Sequence, residues 1–285
     1  MDRYASTKVA GILGILGNIF LLFIKSIIGL ASNSQAMIAD AANSASDIFA
    51  SLMTFIGNKI ASEPGDKTHN FGHGKAEYIF SLFISISMIL VATKLLYDSV
   101  FSLIEQSEFT FSWFLIAVCI ITIIVKFSLF IYTGKLAKKY NNILLDANMK
   151  DHRNDCIVST FTLISIILSI FKIYWFDGIV GIGISIWICY TGVKILIESC
   201  NVLMDISIDN ETEKLILDLA HSYKDIKKVD DISSIPVGYQ YIVVLTIYID
   251  GNISTFESHD LADSLEKDIS KLEKIHSTII HVNPV

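Results

Sequence analysis

Long apolar runs dominate the first two thirds of the chain. A helix needs about 20 apolar residues to cross a hydrocarbon core of about 30 Å. Six segments are long enough, although some of them carry polar interruptions, and they lie at 8–31, 36–60, 78–104, 111–134, 145–171 and 175–200. The second and fifth segments are interrupted by carboxylates, which are costly in hydrocarbon. We therefore expect these two helices to face one another or a wet cavity rather than lipid.

The pattern changes after Asp205, where shorter elements replace the long apolar runs. Residues 210–222 and 256–273 have apolar positions spaced as on one face of a helix. Strands are predicted near 228–235 and 240–250, and the run TIIHV predicts a last strand. The order αββαβ predicts a small ferredoxin-like α+β domain with antiparallel strand pairing.

Composition separates the same two regions. The chain is 52% hydrophobic with a mean hydropathy of +0.55, which is too much apolar surface for one soluble core. Residues 206–285 hold 14 acidic and 7 basic side chains, out of 29 and 22 in the whole chain, so residues 1–205 carry no net charge. We predict an α-helical membrane protein, with six transmembrane helices in residues 1–205 and a cytoplasmic α+β domain in residues 206–285.

Most Lys and Arg side chains lie in the connections on one side of the predicted bundle, from Arg3 before the first helix to Lys139 after the fourth. Because positively charged connections stay in the cytoplasm, both termini are predicted to be cytoplasmic. The chain is then a multi-pass protein of the cell membrane, inner or plasma. Lys25, Lys94 and Lys126 instead fall inside apolar runs, and the pattern assigns them no role.

Two polar pairs lie in the interrupted segments. Asn43 and Asp47 are four residues apart, as are Asp151 and Asp155, so each pair lies on one helix face, one turn apart. Two such pairs on facing helices gather four oxygen donors around one point. Carboxylates this close together repel one another unless a cation or protons neutralise them, which is the basis of a metal–proton exchange. His152 lies about 100° around the helix from Asp151 and is predicted to be a surface or headgroup histidine.

These motifs resemble those of a known family, the cation diffusion facilitators. Asn43 and Asp47 match the family's [D/N]xxxD pair on its second helix, and Asp151 and Asp155 match the [H/D]xxxD pair on its fifth. The string EPGDKTHNFGHGKAE at residues 63–77 resembles the family's loop between helices 2 and 3. The resemblance covers nearly the whole chain and implies six transmembrane helices, a cytoplasmic αββαβ domain and a homodimer.

The resemblance also implies roles for residues of this loop. Asp66, His69 and His73 match a secondary metal site of the family. Lys75 and Asp205 resemble a charge interlock that ties the subunits of the dimer together. A loop that only packs near the membrane surface and an ordinary exposed lysine are the alternatives.

In the cytoplasmic domain the chain departs from the family pattern. His259 and His281 match family ligands, whereas Asp230, Thr246 and Asn283 stand where His, His and Asp are expected. A reduced metal site of Asp230, His259 and His281 is one hypothesis, and a domain that dimerises through its sheet without sensing metal is the other.

The donor set of the membrane site indicates which metal it prefers. Zinc-transporting members of the family typically have a histidine where this chain has Asp151, so the four predicted ligands are all oxygen donors. Oxygen donors suit harder cations such as Mn²⁺, whereas imidazole favours zinc and other borderline metals. The set resembles that of the bacterial manganese exporters of the family.

The predicted function is therefore efflux of a divalent metal ion, Mn²⁺ in the first place, from the cytoplasm in exchange for protons. A Zn²⁺ or Fe²⁺ exporter of the same family is the main alternative, and a metal-responsive membrane sensor and a passive cation channel are others. No nucleophile–base spacing or ATP-binding pattern occurs, so a secondary transporter is predicted rather than an enzyme. The predicted partners are a second copy of the chain, metal ions, protons and the lipid bilayer, with no nucleic acid and no cofactor.

Overall fold

The computed structural model describes residues 3–31, 35–105, 113–169, 171, 173 and 175–285. The side chains at 29, 31, 35–43, 45, 46, 102, 105, 165, 169 and 177 lie outside this description. The chain forms two compact units. One runs up to Ser62 and continues over Ala76–Ser199, and the other combines Glu63–Lys75 with Cys200–Val285.

Six long helices make up most of the first unit. Their bounds are α1 Arg3–Ala31, α2 Gln35–Ala61, α3 Ala76–Glu105, α4 Trp113–Tyr140, α5 Ile143–Ser169 and α6 Trp175–Leu203. Within the described residues, four helices are long and apolar enough to cross a membrane, namely α1, α3, α4 and α6. The other two, α2 and α5, carry the carboxylates noted above. Each helix lies within a few residues of its predicted segment, except that α4 continues six residues past position 134.

The two polar helices pack against one another, as their composition predicts. Asn148 of α5 donates a hydrogen bond from Nδ2 to Oγ1 of Thr54 on α2 at 2.9 Å, and both side chains are buried. Helix α1 covers α2, and α4 covers α5. A Cβ atom at Gly11 of α1 would lie 3.2 Å from Cβ of Phe55. Small residues thus bring α1 close to α2, so that the polar face of α2 is covered by protein.

The second unit has the predicted order of elements. They are α7 Asn210–Ser222, β1 Ile226–Pro236, β2 Tyr241–Ile249, α8 Thr255–Ile269 and β3 Ile275–Pro284. Asp209 caps α7, since its side chain accepts a hydrogen bond from the Thr212 N–H. Ser254 and Glu257 form a capping box at the start of α8. Apolar side chains of the helices and of β2, among them Ile216, Leu245 and Leu265, form its core.

The sheet differs from the prediction in one respect. Its order is β1-β2-β3, with β1 antiparallel to β2, but β3 runs parallel to β2. The prediction of antiparallel pairing throughout was therefore wrong. Helix α8 connects β2 to β3 and returns the chain to the end of the sheet where β2 begins, and a strand that follows such a crossover runs parallel to the first.

Residues 63–75, which join α2 to α3, pack with the second unit. A Cβ atom at Gly74 would lie 2.7 Å from the carbonyl oxygen of Val237, and one at Gly238 would lie 2.9 Å from Cα of Gly74. Gly238 also has φ +107°, a conformation that other residues rarely adopt. Both glycines are therefore required where this loop meets the turn between β1 and β2.

Candidate metal-binding site

Carboxylates from α2 and α5 converge inside the helical unit. Asp47 lies on α2, and Asp151 and Asp155 lie one turn apart on α5. The side chains of Asp47 and Asp155 are only 8% and 15% exposed. Asn43 lies one turn before Asp47, but its side chain is outside the described residues, so its part in the cluster stays a prediction.

A lysine from α4 joins two of these carboxylates. Nζ of Lys126 lies 2.7 Å from Oδ2 of Asp47 and 2.5 Å from Oδ2 of Asp155. The Lys126 side chain is 1% exposed. One ammonium therefore bridges α2 and α5 at the point where the sequence predicts a metal ion.

His152 belongs to the same cluster. Its ligand atom and those of Asp151 and Asp155 all lie within 4.8 Å of one another. His152 is 1% exposed, so the prediction of a surface or headgroup histidine was wrong. A Cβ atom at Gly14 of α1 would lie 3.7 Å from Nε2 of His152, so the close approach of α1 covers the ring. The angle of about 100° between Asp151 and His152 on the helix does not reveal that α1 packs over that face.

Several polar atoms of this cluster have no hydrogen-bond partner among the described residues. They are Oδ2 of Asp151 and both ring nitrogens of His152, and all three atoms are buried. Buried polar groups without partners are uncommon and costly, and they are found where a site awaits a ligand. The arrangement thus offers two carboxylates and one imidazole from adjacent turns of α5, with Asp47 joined to them through Lys126.

The polar face of α2 continues on both sides of Asp47. One turn before it, Oγ of Ser44 accepts a hydrogen bond from Nζ of Lys25 at 3.0 Å. One turn after it, Oγ of Ser51 accepts from Nδ2 of Asn18 at 3.2 Å. All four of these partner side chains are buried. Asp47 therefore lies on a polar face of α2 that is buried inside the helical unit.

Asp66, His69 and His73 form a second compact group, in the loop between α2 and α3. Nδ1 of His69 lies 3.6 Å from Oδ1 of Asp66, and Nε2 of His73 lies 3.7 Å from its Oδ2. Hydrogen bonds from the backbone N–H of His69 and from the hydroxyl and N–H of Thr68 lower the pKa of Asp66 to about 2. The carboxylate is thus ionised at neutral pH and faces two imidazoles.

Of the remaining predicted residues, Lys75 and Asp205 contact one another within the chain, whereas Asp230, His259 and His281 lie apart. Nζ of Lys75 lies 2.7 Å from Oδ1 of Asp205, so this ion pair forms within one chain, between the loop and the end of α6. Asp230, His259 and His281 are all exposed, and they are not among the groups of possible metal ligands whose atoms lie within 4.8 Å of one another in the described residues. Asp230 is on β1 and His281 on β3, which are the opposite edge strands of the sheet.

The contact of Lys126 with the two carboxylates was not predicted from the sequence. A signal was present, because a lysine inside an apolar run belongs in the bundle interior beside a partner of opposite charge. Asp47 and Asp155 were the obvious partners by charge. Choosing Lys126 rather than Lys25 or Lys94 required knowledge of how α4 is rotated against α5.

Comparisons with known proteins cover both units. The family model for the cation efflux transmembrane domain matches residues 11–204, and that for the cytoplasmic domain of cation efflux proteins matches residues 208–285. An uncharacterized transporter of Methanocaldococcus jannaschii is 31% identical over 274 residues, which cover 96% of this chain and 97% of that protein.

Two further relatives have more informative names. The manganese efflux system protein MneS of Bacillus subtilis is 28% identical, over 100% of this chain and 99% of its own length. The magnetosome protein MamB of a Magnetospira species is 27% identical, over 92% of this chain and 89% of its own. The similarity thus extends through the helical part and the C-terminal part alike.

Proposed function

The chain belongs to the cation efflux family, and we propose that it exports Mn²⁺ from the cytoplasm in exchange for protons. Its family consists of membrane transporters of divalent metal ions, not enzymes. The choice of Mn²⁺, the exchange for protons and the residues that bind the ion are proposals.

The observation that carries the proposal is the gathering of Asp47, Asp151 and Asp155 in the interior of the helical unit. Carboxylates at such depth are costly and are retained where an ion pathway needs them. In our proposal, a metal ion that enters from the cytoplasm binds to these three carboxylates, and Asn43 is the fourth oxygen donor. The acidic C-terminal domain attracts cations to that side of the membrane.

In this proposal, protons move in the opposite direction to the metal ion. The same carboxylates accept either a metal ion or protons, so that one load excludes the other. Rocking of the helices exposes the site to the outside, where protons displace the metal. The chain has no ATP-binding pattern, so an ion gradient is the energy source we propose.

Manganese is proposed because Asn43, Asp47, Asp151 and Asp155 are all oxygen donors, which favour harder cations. The printed name of MneS, a manganese efflux protein, agrees with this preference. Zn²⁺ or Fe²⁺ is the second candidate, and one observation favours it. The imidazole of His152 lies within reach of the carboxylates, and imidazole suits borderline metals.

The arrangement proposed for the whole protein is a homodimer with six transmembrane helices per chain. The helices of residues 1–205 span the membrane, and residues 206–285 lie in the cytoplasm with the loop of residues 63–75 packed against them, with both termini on the cytoplasmic side of the cell membrane. Pairing of two C-terminal domains brings ligands from both chains together, and this is how Asp230, His259 and His281 would contribute to one site. The loop residues Asp66, His69 and His73 form a further metal site in this proposal.

Flux in proteoliposomes tests the transport site. Asp47→Ala and Asp155→Ala are expected to abolish metal-dependent proton flux. Asp98→Ala is the matched control, because Asp98 is an exposed carboxylate on α3 and should leave flux unchanged. Normal flux in both site variants would refute the proposed site, and flux that persists without a proton gradient and does not saturate would favour a channel.

The metal preference needs a separate measurement. Initial rates for Mn²⁺, Fe²⁺, Zn²⁺ and Cd²⁺ are compared in the wild type and in Asp151→His. The wild type is expected to prefer Mn²⁺, and the variant should shift toward Zn²⁺. An equal preference for Zn²⁺ in both proteins would contradict the argument from donor type.

A further inference from the structure

Lys126 contacts the two oxygens that a transported ion needs. Its Nζ atom lies 2.7 Å from Oδ2 of Asp47 and 2.5 Å from Oδ2 of Asp155. A divalent ion such as Zn²⁺ binds carboxylate oxygens at about 2.0–2.2 Å. An ion bound to both of these oxygens would therefore lie in the space that the ammonium fills. The two cations also repel one another, so a metal ion on these two oxygens is disfavoured while the ammonium contacts them.

We propose that Lys126 is a built-in competitor of the transported metal ion. Its ammonium holds Asp47 and Asp155 together when no metal is bound, and the metal displaces it on binding. When the site opens to the outside, the ammonium returns to the two carboxylates and helps to expel the ion. In this proposal the competition depends on movement of the Lys126 side chain and not on a change in its protonation.

Three features of the structure support this role. The four-carbon stem of lysine is flexible, so the ammonium can leave the carboxylates without a movement of α4. Lys126 is buried and comes from a third helix, so removing it leaves the carboxylates of α2 and α5 without their bridge. Lys25, another buried lysine, donates a hydrogen bond to Ser44, whereas Lys126 is the lysine whose hydrogen bonds to both carboxylates the structure describes.

The inference rests on the proposed function, and one set of binding measurements tests the two separately. Mn²⁺ binding is measured by calorimetry on the purified full-length protein in detergent, for the wild type, Lys126→Met, Lys94→Met and Asp155→Asn. Lys94 is the matched control, because it is an exposed lysine on α3, whereas the cluster is formed by side chains of α2, α4 and α5. Asp155→Asn reports on the proposed site itself.

Lys126→Met is expected to bind Mn²⁺ about tenfold or more tightly, because the fraction of molecules with a free site rises when the competitor is gone. In proteoliposomes the same variant should have a lower KM and also a lower kcat, because release slows. Lys94→Met should match the wild type in both assays. A role in folding alone would not produce tighter binding together with slower turnover.

Unchanged or weaker binding in Lys126→Met, with binding lost in Asp155→Asn, would overturn the inference and leave the proposed function intact. Full binding in Asp155→Asn would refute the proposed site instead. If Lys126→Met does not fold alone, it is purified with and without Mn²⁺. Recovery of folded protein only with Mn²⁺ supports the inference, since the metal replaces the missing charge, and aggregation under both conditions overturns it.

Discussion

Arg3 and Glu77 form a two-pronged ion pair that links the start of α1 to the start of α3. Nη1 and Nη2 of Arg3 each lie 2.6 Å from one carboxylate oxygen of Glu77. The side chains are 11% and 2% exposed, so the pair is shielded from water. Asn142 donates to the same carboxylate at 3.2 Å and also caps α5 through the N–H groups of Leu144 and Leu145. Three helix starts are thus fixed at one point.

Arg3→Met is expected to destabilise the helical unit strongly. The change leaves a buried carboxylate without its cation, which typically costs about 3–5 kcal/mol. The free energy of unfolding is measured by titration with SDS in mixed micelles. The double variant Arg3→Met with Glu77→Gln removes both charges and should recover part of the loss. A single variant as stable as the wild type would show that the pair contributes nothing.

His152→Ala should change metal preference. The ring lies within 4.8 Å of the ligand atoms of Asp151 and Asp155, and its nitrogens have no partner among the described residues. If the imidazole binds the ion, its loss weakens Zn²⁺ binding more than Mn²⁺ binding, because imidazole favours zinc. The ratio of the two dissociation constants in His152→Ala and in the wild type checks this. An unchanged ratio would assign the ring to packing beneath Gly14.

The loop between α2 and α3 should loosen in acid. The pKa of Asp66 falls from 3.8 to about 2 in the folded chain, mainly because its carboxylate accepts the His69 N–H and the Thr68 hydroxyl. A lowered pKa means that the carboxylate stabilises the loop fully above pH 3.8 and loses that effect as the pH falls through about 2. Hydrogen exchange at Thr68 and His69 should therefore accelerate over this range once the intrinsic pH dependence is divided out.

A matched variant separates that effect from general acid unfolding. Asp66→Ala should exchange these amides rapidly already at neutral pH, and its corrected rates should not change between pH 4 and 2. Equal protection in the wild type and in Asp66→Ala would contradict the assignment of these hydrogen bonds.

Asp209 should stabilise the C-terminal unit through the cap of α7. Partial burial raises the pKa of Asp209, but Lys274 and Thr212 outweigh it and lower the pKa to about 2. Asp209→Ala removes the cap and is expected to cost about 1 kcal/mol, measured by thermal unfolding. Lys274→Met removes only the exposed ion pair and should cost less than about 0.5 kcal/mol. Equal losses in both variants would assign the stability to the ion pair instead.

The helix pattern was largely readable from the sequence. The bounds of α7 were predicted at 210–222 from the spacing of its apolar positions, and the structure has the same bounds. The spacing of Asp151 and Asp155 placed both on one face, and the cost of carboxylates in hydrocarbon predicted that α2 and α5 meet. These features involve one helix or a pair of helices, and the spacing of polar and apolar residues is sufficient to predict them.

Features that depend on how a third helix or strand packs were not predicted from the sequence. His152 was assigned to the surface because its angle on α5 does not reveal that α1 covers it. The bridge from Lys126 depends on the rotation of α4, which its apolar sequence leaves open. The parallel pairing of β3 depends on the crossover through α8, which the alternation of residues within a strand does not record.

The close packing of Gly74 against Gly238 has a consequence for truncated versions of the protein. Residues 63–75 leave the helical unit at Ser62, pack among residues of the C-terminal unit and return at Ala76. Cutting the chain after Asp205 would therefore deprive this loop of the residues it packs against, including Val237. A protein without its C-terminal domain would thus also be altered in the loop between α2 and α3. Loss of transport in such a truncation would report on the Asp66–His69–His73 group as much as on the missing domain.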